Sequence, residues 1–125
     1  MIQSMDKNFL LIGALAAFIG VALGAFGAHA LRSRLSPDML AVFETGVRYQ
    51  MYHAFAILAV GLILGRMGGW MISTAGWFFA AGIVLFSGSL YALALSGVTV
   101  LGAITPLGGL CFLIGWALLA LAAAM

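Results

Sequence analysis

The stretch FLLIGALAAFIGVALGAFGAHAL, residues 9–31, runs for 23 residues without a formal charge. A bilayer's hydrocarbon core is about 30 Å thick, so a helix rising about 1.5 Å per residue needs roughly 20 apolar residues to cross it. The stretch has that length and reads as a transmembrane helix. The rest of the chain shares its character. Its 125 residues are 66% hydrophobic and 6% charged, and the mean hydropathy is +1.25. A soluble domain carries about 25% charged residues. This chain could not cover a water-facing surface, and lipid is the solvent that fits.

Outward from that stretch, three more apolar segments lie at about 43–64, 70–95 and 101–124. The second differs from the others because it opens with Glu44 and Arg48. The links between segments are short. Ser36-Pro37-Asp38 in the first link reads as a turn and a helix start, with Ser36 as N-cap and Pro37 in the first helical position. Arg66-Met67-Gly68-Gly69 and Ser96-Gly97-Val98-Thr99 form the other two. Short links make consecutive helices antiparallel neighbours. The expected fold is therefore an all-α membrane protein, a single domain over residues 1–125 with four transmembrane helices in an up-down bundle.

Lys7 could serve as the basic end of a signal peptide, and Ala28-His29-Ala30 resembles a cleavage site. The apolar stretch is long for that role and three more segments follow it, so a retained span is expected. With four crossings, both termini share one side with Lys7 and Arg66. Arg32 and Arg34 lie on the other, with Arg48 near a helix end. The basic residues divide almost evenly, and the expected topology has both termini cytoplasmic. The net charge of +2 rests on scattered cations. Nucleic-acid binding needs a clustered basic face, so that class is excluded. The single cysteine, Cys111, lies in an apolar run and reads as a small buried hydrophobe.

Four glycines of the first segment, Gly13, Gly20, Gly24 and Gly27, fall within about 60° of one another on a helix. They are expected to bring two helix backbones into close contact, and Gly20-x-x-x-Gly24 is the small-xxx-small pattern of such contacts. Leu23–Leu31 also aligns with Leu85–Leu93 at an offset of 62, but few positions match. Chance is the simpler account.

The densest polar cluster is Glu44-Thr45-Gly46-Val47-Arg48-Tyr49-Gln50-Met51-Tyr52-His53. Glu44 and Arg48 stand four apart and can pair on one helix face. Tyr49 and His53 stand four apart on another, about 140° from Glu44. A charge inside a bilayer is either near the interface or paired, and an interfacial ion pair fits Glu44 and Arg48. His53 lies deeper, so its ring must be hydrogen-bonded. A bond to a neighbouring helix is expected ahead of proton relay or metal binding. His29 closes the first segment, and neither histidine has metal-site spacing, so no metal is expected. In the third segment Ser87, Ser89 and Tyr91 offer hydroxyls for bonds between helices. Pro106 either starts the last helix, with Thr105 as N-cap, or kinks it; the capped start is preferred.

The strings ALGAFGAHAL (22–31), FETGVRYQMYHAFAIL (43–58), LFSGSLYALAL (85–95) and ITPLGGLCFLIGW (104–116) together resemble the YgdD/YwdK-type membrane proteins. These are small bacterial proteins grouped as a domain of unknown function, with eukaryotic transmembrane relatives. The resemblance covers nearly the whole chain, with all four blocks in order. It implies four helices in the bacterial inner membrane and assigns no residue a role.

The expected function is that of a membrane protein binding or moving a small molecule, lipid or ion. Its polar interior site would draw on His29, Glu44, Arg48, Tyr49, Gln50, His53, Ser87, Ser89, Tyr91 and Thr105. The alternative is an accessory or assembly subunit, in which the same residues only pack helices. No paired acid–base motif or cofactor fingerprint occurs, so neither enzymatic activity nor a cofactor is expected. Expected partners are membrane lipid and either further copies of the chain or a larger membrane complex.

Overall fold

The structure, a computed structural model, describes residues 6–125. Helix α1 spans Lys7–Phe26 and runs into a π-helical turn, Gly27–Leu31. Helix α2 spans Pro37–Arg66. Helix α3 (Trp70–Gly82), a π-helical turn (Ile83–Ser87) and helix α4 (Gly88–Ser96) follow one another without a break and form the third span. A 3₁₀ turn, Thr99–Ala103, leads into helix α5, Thr105–Ala124. Each of the four spans is long and apolar enough to cross a membrane, and the expected all-α architecture holds.

Local chemistry fixes the ends. The Asp6 carboxylate accepts from the backbone N–H groups of Asn8 and Phe9 at 2.9 and 3.3 Å and caps α1. The Ser36 hydroxyl accepts from the Met39 N–H at 3.2 Å. With Pro37 in the first turn, this starts α2 six residues before the apolar pattern begins at Phe43. Hydropathy locates where a helix enters lipid, and capping chemistry locates where it starts. At 30 residues, α2 is about 45 Å long, so its first turns extend beyond the hydrocarbon. Gly68, Gly69 and Gly97 carry positive φ and make the turns after α2 and α4.

The last span departs from expectation at its cap. Helix α5 begins at Thr105 with Pro106 in its first turn, but the Thr105 hydroxyl bonds Ser89 Oγ at 2.6 Å and caps nothing. Ile104 holds the cap position without a side-chain bond. The 3₁₀ turn before it supplies local carbonyls, with Leu101 accepting from the Ile104 N–H at 3.1 Å.

The predicted glycine stripe is the α1–α2 seam. A side chain at Gly13 would meet Leu58, at Gly20 Met51, at Gly24 Val47 and at Gly27 Phe43. The partners descend α2 as the glycines ascend α1, in antiparallel register. Gly61 of α2 extends the seam to the backbone of Asp6 and Leu10. The third and fourth spans form a second seam in which Phe112 covers Gly82, Phe86 covers Gly108 and Phe79 covers Gly115. Between the seams, Phe9, Ile57, Val60, Ile72, Ala75 and Phe79 form a fully buried apolar core.

A polar seam around α2 and an apolar groove beside it

The buried polar groups lie along the side of α2 turned to the other helices. Gln50 is buried and serves two of them. Its amide nitrogen donates to the Ala16 carbonyl of α1 at 2.8 Å, and its amide oxygen accepts from the Tyr91 hydroxyl of α4 at 2.6 Å. One side chain thus ties the first span to the third through the second. Gly46 makes room for this, since a side chain there would strike the Tyr91 ring. The Gly46 carbonyl accepts from Ser87 Oγ at 2.6 Å. Ser87 ends the π turn, a wide turn closed by the Gly88 N–H on the Ile83 carbonyl. Ser89 donates to the Phe86 carbonyl at 2.9 Å, which spends its only proton, so the Thr105 hydroxyl is the donor in the bond between them.

His53 lies near the middle of α2, roughly 24 Å along the helix from Pro37, and is buried. Its Nδ1 is 2.8 Å from the Tyr49 carbonyl, and the Trp116 indole N–H points at its Nε2 from 3.1 Å. A carbonyl can only accept and an indole N–H can only donate. The partners therefore assign a neutral ring with its proton on Nδ1. Phe112 stacks on the ring with centroids 3.5 Å apart and planes 7° from parallel. Both nitrogens are engaged, so neither is open to a metal or a substrate while Trp116 stays in place. Among the described residues no buried side-chain nitrogen or oxygen lacks a partner, and no three His, Cys, Asp or Glu side chains cluster as metal ligands would.

The expected site is thus only partly assembled. Gln50 meets Tyr91, Ser89 meets Thr105, and His53 meets the backbone and ring of Tyr49. His29, Glu44 and Arg48 do not join the interior; all three are exposed. Helical spacing relates residues to one another on their own helix but does not say which face the bundle covers. The covered face of α2 carries Gly46, Gln50, His53 and Ile57, and Glu44 and Arg48 project from the opposite side. Tyr49 sits at the boundary, 36% exposed.

Trp116 and Phe112 were not anticipated. A signal for the first was available, because apart from Thr105 and the Cys111 thiol, Trp116 is the only side-chain donor in α5. A buried histidine acceptor needs such a donor.

A groove of about 540 Å³ opens along α5 beside this cluster. It is lined by Tyr49 and His53 of α2, Phe86 of the π turn, and Gly109, Leu113 and Trp116 of α5, among others. Leu113 is 67% exposed and Trp116 47%, so the groove faces outward. Gly109 helps to make it: a methyl group there would meet only the Phe86 ring edge at 3.9 Å. Trp116 also borders a second apolar groove of about 380 Å³ farther along α5, beside Ile63 and Leu119.

A family model described as "Protein of unknown function (DUF423)" matches residues 23–109. The chain is 48% identical over 118 residues to the UPF0382 membrane protein YwdK of Bacillus subtilis, covering 94% of this chain and 96% of that one. It is 49% identical over 116 residues to the UPF0382 membrane protein SERP0230 of Staphylococcus epidermidis, covering 93% and 94%. No solved structure matches.

Proposed function

Since the chain belongs to the DUF423 family, whose relatives are membrane proteins of unknown function, we propose a function from its own geometry: it binds a lipid acyl chain in the groove beside His53. The observation that carries this reading is an outward-facing groove with an almost wholly apolar lining, at the depth of the middle of α2. Polar solutes would gain nothing there, whereas hydrocarbon chains surround that surface at high local concentration. The polar residues behind the groove support binding over ion passage, because their hydrogen bonds are spent on one another. The same closure supports a binding role over a catalytic one, since both ring nitrogens of His53, the imidazole beside the groove, are engaged.

Native mass spectrometry of the protein released gently from membranes tests this. Wild type should retain one or more lipids, and Gly109→Leu, which fills the groove, should lose them. Equal retention by both proteins would overturn the reading.

A second reading is an accessory or assembly subunit, favoured by the same complete pairing of buried polar groups. Purification as a lone lipid-bearing monomer would count against it; recovery with a stoichiometric partner would support it. We further place the protein in the bacterial inner membrane with both termini cytoplasmic. The even number of spans puts the termini on one side, flanked by Lys7 and Arg66. A reporter fused after Met125 should be active in the cytoplasm.

A further inference from the structure

An acyl chain in this groove belongs to a molecule with a head, and the cations near the groove bear on what that head is. The groove begins at Tyr49 and Pro106, on the side of the bundle that holds the 32–36 link and the 3₁₀ turn. Three arginines lie toward that side: Arg32, Arg34 and Arg48, all exposed. Arg32 and Arg34 precede Pro37, which is about 18 Å along α2 from Tyr49. Arg48 is the residue next to Tyr49. Tyr52, one turn on from Arg48, contacts the Tyr49 ring at 5.6 Å, edge to face. Arg48 and Tyr52 stand on the exposed side of α2, next along the helix surface to Tyr49, which lines the groove.

We propose that the groove's occupant is an anionic phospholipid, one acyl chain lying from Tyr49 toward Trp116 and the phosphate held by Arg48. The proposal rests on the reading that the groove takes an acyl chain. A guanidinium presents a planar fork of donors that matches phosphate geometry. An arginine this far into a span reaches for the headgroup layer, and an anion there offsets the cost of its position. Of the two carboxylates of α2, Asp38 stands in its first turn and Glu44 stands one turn from Arg48. Glu44 lies a turn farther from the groove, so it disfavours a phosphate placed beyond Arg48 and leaves the groove side open to one.

The full-length protein in nanodiscs of equal phosphatidylglycerol and phosphatidylcholine, followed by native mass spectrometry of the retained lipid, tests this. Wild type should retain phosphatidylglycerol over phosphatidylcholine by about tenfold, the effect of one charge-assisted contact. Arg48→Gln should still carry lipid but without the preference, and Arg48→Lys should keep part of it. The double variant Arg32→Gln/Arg34→Gln should keep it all. Equal retention of both lipids by wild type, or an equal loss of preference in the double variant, overturns the assignment of the head while leaving the groove intact. If Gly109→Leu retains lipid as wild type does, the groove reading itself fails. Arg48→Gln should match wild type in helicity and unfolding midpoint, which separates lost recognition from lost folding.

Discussion

The α1–α2 hairpin and the hairpin of the third and fourth spans are both built on glycine, but they use it differently. In the first, the glycines sit mainly on α1 and receive Leu58, Met51, Val47 and Phe43 from α2. Leu58 and Met51 are flexible side chains, Phe43 is a buried ring, and the carbonyl of Ala54 also faces Gly13. In the second, glycines stand on both spans and phenylalanines cross in both directions. That seam is more tightly committed, since Gly108 meets the Phe86 backbone at closer range than Gly13 meets the Ala54 carbonyl or Gly61 the backbone of Asp6. Its neighbour Gly109 meets almost nothing and leaves the groove. Two adjacent glycines thus perform opposite tasks: Gly108 closes a helix contact, and Gly109 keeps a surface hollow.

The contrast can be broken in steps. Gly108→Leu should be the most damaging substitution, because backbone cannot move aside; a loss of about 3 kcal/mol is expected, enough to deplete the folded protein in membranes, read by SDS titration and by accumulation. Gly20→Leu should cost about 1–3 kcal/mol in the same titration, since its obstacle is the far end of Met51. A result in which Gly20→Leu exceeded Gly108→Leu would reverse the ranking of the two seams. Gln50→Leu and Tyr91→Phe should each cost about 1 kcal/mol, and their double-mutant cycle should show coupling of about 0.6 kcal/mol, the average for hydrogen bonds between membrane helices. Zero coupling would mean that the bond between them contributes nothing to holding the spans together. The smallest effect should come from Gly109→Ala, a gain of a few tenths of a kcal/mol from helix propensity, as the added methyl meets only open space and a ring edge.

What could be read in the sequence depended on whether the information was local. The four spans follow from hydropathy, and the α1 stripe from four glycines at helical spacing on one segment. Gly108 and Gly115 stand seven apart on the fourth span, the spacing of Gly13 and Gly20, but Gly82 lies on the third, and a single pair in one segment makes no stripe like that of α1. The polar site split in the same way. Gln50, Tyr91, Ser89 and Thr105 stand out in the sequence because an uncharged polar side chain inside a span needs a partner, and they pair as Gln50 with Tyr91 and Ser89 with Thr105. Glu44 and Arg48 were expected alongside them, yet their spacing shows only that they share a face, and that face turned out to be the exposed one. His29 falls in a π turn at the end of the first span and is exposed there. The Trp116–His53 bond joins residues 63 apart in the chain; only the third dimension states it.

The bond from Gln50 to the Ala16 carbonyl has a consequence for how the protein is made. By hydropathy α2 is the poorest of the four spans, at 1.4 against 2.5 for the first, 2.0 for the third and 2.2 for the fourth. Its reluctance comes from Arg48 on its outer face and from Gln50 and His53, which it carries inward. The helix that receives its amide and presents the glycine track for its side chains is α1, which leaves the ribosome first. When α2 reaches the membrane its acceptor is already waiting there, so the order of synthesis lets the span least suited to lipid enter beside its partner.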